Sequence, residues 1–533
     1  MQPKFVLTLL ASVFLFIYNI SAQSLQTVSG TVKDQNGAVV VGAQVILRGV
    51  ISRSVVTDSN GNFSFANISS GDYELKISAN GFAEQSEKIA VDGQSRALEI
   101  RLEIGSPTVT VTAEVGNNVE RENIPQAINL IGEKQISERV NPILAQAVQE
   151  EAGINVQRTS PTMGGIFIRG LVGTKVNVYV DGVRYTTSAQ RGGVSTFFNL
   201  NDASNIQSIE VLRGANSAQY SSDALGGTIS ILSKLPTLGD DKSEFHGEIN
   251  TNFNYADRSF GGSTLFSYGT NKLGGYINLT GRRVGDLRVA NGLDSHSALT
   301  RFLGLRSNIL GDRLPDTAFQ QYGGSFRLNY SPTDDSQVVF NYSRNQQDNG
   351  KRYDQLLGGD GNLIADLRNL MLDFGYIRFA KQNFGWFDSA SFTVSFNSQR
   401  EERVNQGGQG DPFGSITHQY ERTNATGFSA FLDKDFSNNS FLIGGDLYRE
   451  RINAPAYTLN PRTNAFTLSR PRVPDEARYT LGGIFVQDAW QAVPDRLRIS
   501  GALRYNAAKY KVNASDSPVV NGLRLWNDDS LTV

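Results

Sequence analysis

The stretch IQSIEVLRGANSAQY at residues 206–220 decides how the centre of the chain folds. Its first half is rich in aliphatic residues and predicts a β-strand that runs as far as Arg213. Gly214 then permits a turn, because glycine adopts positive φ without steric cost. The run ALGGTISI at residues 224–231 follows and predicts a second strand. A short serine-containing segment, residues 215–223, separates the two predicted strands.

Two blocks upstream extend this pattern. The runs GIFIRG at residues 165–170 and VNVYVDGV at residues 176–183 each predict a strand, and the Asp181-Gly182 pair predicts a hairpin turn. Before them, the Asn-Pro pair at residues 141–142 predicts a helix that begins with an asparagine cap. The apolar face of that helix would consist of Ile143, Leu144, Ala147 and Val148.

In their order and spacing, these blocks resemble the plug domain of TonB-dependent outer-membrane receptors. The resemblance implies a plug domain over residues 120–235. Where the family has Tyr-Gly after the serine segment, this chain has Tyr220-Ser221. The positions that match the family's plug motif are Arg169, Gly170, Asp181, Gly182, Glu210, Arg213, Gly214, Tyr220, Gly226 and Gly227.

Three charged residues of the motif have two possible roles. Arg169, Glu210 and Arg213 could pair with carboxylates of a barrel lumen or with each other, because an enclosed unpaired charge is costly. Alternatively, they hold the strands of the plug itself together. The glycines of the motif are predicted to serve backbone geometry rather than ligand contact.

The segment PTVTVTAEV at residues 107–115 separates the plug from what precedes it and resembles a TonB box. An extended segment with free backbone groups can add as a strand to the edge of a partner's sheet. The resemblance implies TonB, with its inner-membrane energising complex, as the partner; an ordinary linker strand is the alternative. The residues of the predicted box are Thr108, Val109, Thr110, Val111, Thr112 and Ala113.

Two segments precede the box. Residues 1–22 combine Lys4, an apolar run and a small pair, Ser21-Ala22, which predicts a signal peptide; an N-terminal anchor is the alternative. Residues 26–103 alternate short apolar strands with Asp/Gly turns and predict a β-sandwich. This part resembles the carboxypeptidase-regulatory-like (transthyretin-like) domain, and we expect a docking or spacer module there rather than a peptidase.

The remaining residues, 243–533, show alternation of period two. Phe392, Val394 and Phe396 fall on one face of a predicted strand, and polar residues fall on the other. Long and short connections also alternate, which is typical of an antiparallel transmembrane β-barrel. About eleven strands are predicted, whereas plugged transporters have about 22. We therefore expect an incomplete barrel and a fragment or truncated product.

Composition limits the function. The chain has 50 Lys+Arg against 52 Asp+Glu, which argues against nucleic-acid binding because such proteins carry a basic excess. It has no cysteine, which excludes a disulfide framework and thiol chemistry. The run GLVGTK at residues 170–175 lacks the spacing of a phosphate loop. We expect no enzyme, no cofactor and no metal site.

The predicted fold class is therefore mainly β: an N-terminal β-sandwich, a small α/β plug and an incomplete antiparallel transmembrane barrel. The resemblance implies active import across the outer membrane of a Gram-negative cell, with the sandwich in the periplasm and outer-membrane lipid around the barrel. A ferric siderophore or haem is the expected small-molecule cargo. Glycans or cobalamin are alternative cargoes, and a non-transporting surface or adhesion barrel is a third possibility.

Overall fold

The computed structural model describes most of the chain from residue 26 onward. Within the described ranges, no helix is both long enough and apolar enough to cross a membrane. The predicted signal peptide, residues 1–22, and Thr108 and Val109 of the predicted box lie outside them. The described ranges are 26–34, 37–49, 52–79, 85–92, 96–102, 110–114, 117–120, 127–139, 141–214, 217–221, 223–236, 243–288, 313–333, 335–356, 361–407, 411–436, 438–493, 496–512, 519–520, 523–524 and 530–532.

The N-terminal unit is a β-sandwich. One sheet has the order β4-β1-β7 and the other β3-β2-β5-β6. Phe65 and Leu75 are among the side chains buried between the sheets. The turn before β4 follows the predicted chemistry, because the Asp58 carboxylate accepts backbone N–H bonds from Asn60 and Asn62 at 2.8 Å each. The strands are β1 (Gln26–Asp34), β2 (Gln44–Arg48), β3 (Arg53–Val56), β4 (Asn62–Ile68), β5 (Gly71–Ser78), β6 (Gln85–Val91) and β7 (Arg96–Leu102).

A two-stranded hairpin lies between the sandwich and the central domain. It consists of β8 (Thr110–Glu114) and β9 (Asn117–Glu120), which pair antiparallel with Val111 opposite Val119. The described part of the predicted box is therefore extended, as a strand-adding segment must be.

The central domain, residues 127–236, is called the plug below. Its five-stranded sheet has the order β10-β15-β16-β13-β14, and β11 and β12 form a separate hairpin. The strands are β10 (Ala127–Gly132), β11 (Ile154–Ser160), β12 (Met163–Ile168), β13 (Val176–Val180), β14 (Val183–Arg184), β15 (Ile206–Arg213) and β16 (Gly227–Ser233). The α-helices are α1 (Glu133–Glu138) and α2 (Ser217–Tyr220), and the 3-10 helices are Leu144–Val148, Gly173–Lys175, Phe197–Leu200 and Ala203–Asn205.

The helix predicted to start at Asn141 is wrong in type and in start. The structure has only the 3-10 helix Leu144–Val148, whose N-cap is Ile143. The predicted apolar residues are buried as expected. A tertiary bond accounts for the difference, because the Ala145 N–H donates to the Asn199 side-chain oxygen at 3.0 Å and not to a cap.

The third unit is an open antiparallel sheet, called the barrel sheet below. Eleven long strands pair in sequence order, in agreement with the predicted strand number, and β32 pairs with the last of them. No pairing of β17 with β29 or β32 closes the sheet within the described residues. A 3-10 helix, Tyr353–Gln355, follows β21, and β30 and β31 form a separate pair. The strands are β17 (Glu244–Asn254), β18 (Ser259–Gly269), β19 (Leu273–Val284), β20 (Phe319–Thr333), β21 (Ser336–Lys351), β22 (Ile364–Phe384), β23 (Phe387–Gln406), β24 (Ile416–Phe436), β25 (Asn439–Asn453), β26 (Ala456–Leu459), β27 (Phe466–Leu468), β28 (Arg478–Val493), β29 (Leu497–Lys511), β30 (Val519–Val520), β31 (Leu523–Arg524) and β32 (Ser530–Thr532).

The two faces of the barrel sheet differ as predicted. On β20, Phe326 and Tyr330 are 37% and 45% exposed, whereas Arg327 between them is 5% exposed. Apolar side chains thus point outward and polar ones point toward the plug, which is the arrangement of a membrane barrel. The mainly β fold class is confirmed.

The connections at the two ends of the barrel sheet also differ. The turn from β22 to β23 is tight, and beside it the Trp386 ring packs on Phe387 and Phe436 at centroid distances of 5.3 and 5.7 Å. The long connections separate strands at the other end. The connection from β21 to β22, for example, comprises residues 352–363.

Candidate plug–barrel interface

The plug and the inner face of the barrel sheet share one apolar core. Buried plug residues such as Ile209 and Ile229 belong to the same cluster as wall residues of β20, β21 and β22. The Tyr185 ring of the plug lies 6.0 Å from that of Phe374 on β22. The wall residues in this cluster, on β19 to β22, are Val284, Phe319, Val339, Leu370, Leu372, Phe374 and Tyr376.

Asp181 forms a buried ion pair between plug and wall. Its carboxylate accepts bonds from Arg327 Nη1 at 3.2 Å and from the Tyr376 hydroxyl at 2.9 Å. The other carboxylate oxygen accepts the backbone N–H of Ser233 at 2.9 Å. Arg378 donates to the Asp181 carbonyl oxygen. The side chains of Asp181 and Arg327 are each 7% exposed, so this ion pair depends on its hydrogen bonds to offset desolvation.

The turn at Asp181 is placed by the plug sheet. β13 pairs parallel with β16, and Val180 faces Val183 across the predicted hairpin turn. Asp181 and Gly182 both adopt positive φ, at 49° and 74°. This geometry carries the aspartate beyond the sheet and into contact with β20 and β22.

The loop after β14 binds a different part of the wall. The Tyr185 carbonyl oxygen accepts bonds from Asn397 Nδ2 at 2.8 Å and Gln399 Nε2 at 3.0 Å on β23. The Ser188 N–H donates to the Glu450 carboxylate on β25 at 2.9 Å. Since these are mostly backbone groups of the plug, side-chain chemistry alone does not reveal them.

A charged cluster completes this contact. Arg191 of the plug pairs with Glu401 on β23, and Arg403 Nη2 donates to the same carboxylate at 2.8 Å. Arg472 donates to the Ala189 carbonyl oxygen at 2.6 Å. Arg472 also pairs with Glu421 at 2.5 Å, so guanidinium and carboxylate groups alternate in this cluster.

Inside the plug, a second polar group fixes the segment around α2. Arg184 Nη2 pairs with Asp223 at 2.6 Å. The Tyr179 hydroxyl and Asn177 Nδ2 both donate to the Tyr220 carbonyl oxygen, at 3.1 and 2.7 Å. Burial raises the pKa of Tyr179 to about 12, so the hydroxyl keeps its proton at neutral pH and donates this bond.

These contacts hold one domain against the wall of another through separable hydrogen bonds and ion pairs. The family model described as the TonB-dependent Receptor Plug Domain matches residues 120–228, and that of the Carboxypeptidase regulatory-like domain matches residues 27–103. The TonB-dependent receptor SusC of Bacteroides thetaiotaomicron is 27% identical over 259 residues, which are 46% of this chain.

The chain belongs to the TonB-dependent receptor family.

Other relatives agree with this assignment. The vitamin B12 transporter BtuB of Vibrio vulnificus is 32% identical over 129 residues, 24% of the receptor chain described here. Among solved structures, the copper transporter OprC gives a TM-score of 0.56 at 16% identity, covering 76% of this chain and 59% of OprC. The ferric yersiniabactin uptake receptor FyuA of Yersinia pestis gives 0.51 at 16% identity, with coverages of 72% and 57%. The matched regions span only 24% of SusC and 20% of BtuB.

The structure brings several of the predicted motif residues of the receptor together. Arg169, at φ 51°, is exposed beside Gly170, and its guanidinium lies over Gly214: a Cβ placed there would be 3.1 Å from Nη1. Gly226 and Gly227 face Ile168, the last residue of β12. Close backbone approach at these glycines supports the predicted geometric role.

The predicted charged residues lie on or next to β15. Glu210 is buried opposite Ser230, and Arg213 ends the strand beside Gly153. Asp181, Arg191 and Lys234 of the plug form ion pairs with the wall. The sequence analysis did not single out Arg191 and Lys234. A charged residue on the inward face of a predicted barrel strand, such as Arg327, was the signal that indicated ion pairs with the plug.

Ser221 occupies the position where the family pattern has glycine. Its φ is +74°, a conformation that costs a residue with a Cβ about 1 kcal/mol or more relative to glycine. The side chain is 2% exposed, and within the described residues its hydroxyl has no hydrogen-bond partner. The departure from the family pattern therefore leaves strain and an unsatisfied hydroxyl in the plug.

We expect Ser221→Gly to stabilise the plug by about 1 kcal/mol, because it removes both penalties. The measurement is hydrogen exchange of the β13 and β16 amides in outer-membrane vesicles, with Ser204→Gly as the control at a serine whose hydroxyl is bonded to Asp202. Faster exchange in Ser221→Gly than in the unaltered receptor would contradict the strain argument.

Proposed function

We propose that the receptor imports a nutrient across the outer membrane of a Gram-negative cell by TonB-dependent active transport. The observation that carries the proposal is the plug seated against the inner wall through Asp181, Ser188 and Arg191. Besides the shared apolar core, the plug is held by ion pairs and hydrogen bonds, which can break and form again without unfolding either domain. A purely structural barrel has no use for such a seat.

The orientation follows from the two ends of the barrel sheet. Short turns, such as that from β22 to β23, face the periplasm in outer-membrane barrels, and longer loops face outward. The sandwich contacts this short-turn end through Gln382 and Asn383. We therefore place the sandwich in the periplasm and the cluster around Arg191 and Glu401 toward the outer loops.

The hairpin of β8 and β9 supports TonB as the partner. In the described residues, β8 pairs only with β9, which leaves its second edge available for a strand of another chain. Strand addition uses backbone hydrogen bonds and therefore requires little of the side chains. The predicted box residues Thr108, Val109, Thr110, Val111, Thr112 and Ala113 would form that edge.

For the cargo, we propose a ferric siderophore or haem. The plug run at residues 221–231 resembles that of receptors for iron complexes. An iron-regulated outer membrane virulence protein of Vibrio cholerae is 29% identical over 147 residues. Cobalamin is the second candidate, because two BtuB proteins of Vibrio vulnificus match 24% and 23% of the chain. A glycan is the third, since the sandwich resembles the module that precedes many glycan importers.

The test is uptake of a labelled panel by cells that express the complete receptor. The panel contains a ferric siderophore, haem, cyanocobalamin and an oligosaccharide. We expect Val111→Pro to reduce uptake at least tenfold while cargo binding stays unchanged, because proline cannot donate a backbone hydrogen bond to an added strand.

Val111→Thr is the matched control, since it keeps the backbone N–H and strand propensity. Uptake of none of the panel by the unaltered receptor would contradict the proposed import. Uptake of cobalamin or the oligosaccharide alone would replace the iron cargo. Equal uptake by Val111→Pro and Val111→Thr would contradict the assigned box.

A further inference from the structure

Gln382, near the end of β22, is buried under the N-terminal sandwich. Its side-chain oxygen accepts bonds from the Ser69 hydroxyl at 2.6 Å and the Tyr73 hydroxyl at 2.7 Å. Gln382 is 4% exposed, Ser69 1% and Tyr73 3%. Polar groups buried this deeply are costly if they separate without water or another partner, so the contact is specific.

The sandwich is shaped around this amide. Gly49 and Gly71 lie on either side of it: a Cβ at Gly49 would be 3.4 Å from Gln382 Nε2, and one at Gly71 would be 3.5 Å from it. Their missing side chains leave the space that the amide fills. Burial also raises the pKa of the Tyr73 hydroxyl, which keeps the proton that Gln382 accepts.

Three further hydrogen bonds extend the contact. On the wall, Asn383 Nδ2 donates to the Ser70 carbonyl oxygen at 3.4 Å, and Gln337 Nε2 donates to that of Ser52 at 3.2 Å.

On the plug, Gln207 of β15 accepts a bond from Arg48 Nη2 at 3.3 Å. Arg48 is 7% exposed. The sandwich thus binds the barrel wall and the plug at the same time.

This bridge constrains the box between the two domains. The sandwich ends with β7 at Leu102, and the plug sheet starts with β10 at Ala127. A force applied to the hairpin of β8 and β9 is therefore transmitted to both the sandwich and the plug. The plug cannot shift relative to β22 without separating Arg48 from Gln207 or the sandwich from Gln382.

We propose that the sandwich holds the plug to the short-turn end of the barrel, and that the sandwich separates from the barrel before the plug opens. The release step rests on the proposed import function, whereas the docking does not. The partner of this sandwich surface is thus a segment of the same chain, the short-turn end of β22, with Gln382 at the centre of the contact.

The test uses the complete receptor in outer-membrane vesicles and cells. Ser69→Cys and Gln382→Cys are combined; the 533 residues contain no native cysteine to interfere. Because cysteine is shorter than the glutamine it replaces, a short bis-methanethiosulfonate reagent, which reduction removes, bridges the two thiols and is expected to link this pair in most molecules. Asn60→Cys with Gln382→Cys is the control, because Asn60 and Ser69 lie beyond opposite ends of β4 (Asn62–Ile68), which spans about 20 Å at 3.3 Å per residue.

Cargo uptake is then measured before cross-linking, after it and after reduction. We expect the linked receptor to lose at least nine-tenths of its uptake with unchanged cargo binding, and reduction to restore it. A cross-linking yield no higher than that of the Asn60 pair overturns the docking of the sandwich on β22. Full linkage with undiminished uptake overturns the release step. Absence of uptake in the unaltered receptor instead refutes the import function, and the release step with it, while the linkage yield still decides the docking.

Discussion

Asp181→Ala is expected to unseat the plug at a cost of about 3–5 kcal/mol, because it leaves the Arg327 guanidinium buried without its anion. The same change removes the acceptor of the Tyr376 hydroxyl and of the Ser233 N–H. At about 1.4 kcal/mol per tenfold change, the population of displaced plugs should rise more than a hundredfold.

The measurement is hydrogen exchange of the β13 and β16 amides, together with ion conductance of the complete receptor in planar bilayers. Asp202→Ala is the matched control: Asp202 also bonds the wall, but to the neutral Asn278 at 2.7 Å, so a loss of only about 0.5–1.5 kcal/mol is expected. The double variant Asp181→Ala, Arg327→Met should recover much of the loss. Similar exchange in both single variants would show that the buried charge pair is not what seats the plug.

Gly173→Ala is expected to disrupt the plug fold by a similar amount. Gly173 has φ +64°, which penalises a side chain by about 1–2 kcal/mol. A Cβ would also lie 2.6 Å from the Arg191 and Gly192 carbonyl oxygens, and such overpacking costs about 1–3 kcal/mol more. Because Arg191 carries the pair with Glu401, the same clash displaces a wall contact.

The measurement is protease resistance of the plug in outer-membrane vesicles. Gly192→Ala is the neutral control, since nothing lies within 4 Å of its Cβ position and its φ is not in the left-handed region. Gly170→Ala separates the cost of positive φ from the cost of the steric clash, because Gly170 has φ +81° but open space around it. If Gly173→Ala is no more sensitive than Gly170→Ala, the steric contribution is absent.

The sequence predicted those features that depend on neighbours in the chain. The Asp181-Gly182 turn, the strands around it and the outward apolar face of β20 follow from local pattern, and each agrees with the structure. The resemblance of several blocks in order was sufficient to identify the plug and the family. The number of strands in the barrel sheet could also be predicted from the sequence, because period-two alternation persists along each strand.

The partners across the plug–barrel interface could not be predicted. Asp181 and Arg327 are separated by 146 residues, and no local pattern indicates that they meet. The loop after β14 binds through backbone groups such as the Tyr185 carbonyl, which every residue possesses. The prediction of a helix after Asn141 was wrong for the same reason, since the hydrogen bond from the Ala145 N–H to the distant Asn199 outweighed a favourable cap sequence.

The apolar core shared by plug and wall has a consequence for biogenesis. The plug precedes the barrel strands in the chain, yet its core is completed by Phe319, Leu370 and Phe374. Until those strands assemble, this side of the plug presents apolar surface to water, which is the condition under which exported chains aggregate. The sequence separation of these contacts also slows their formation. Insertion of the wall and maturation of the plug are thus one event, and neither domain reaches its final structure ahead of the other.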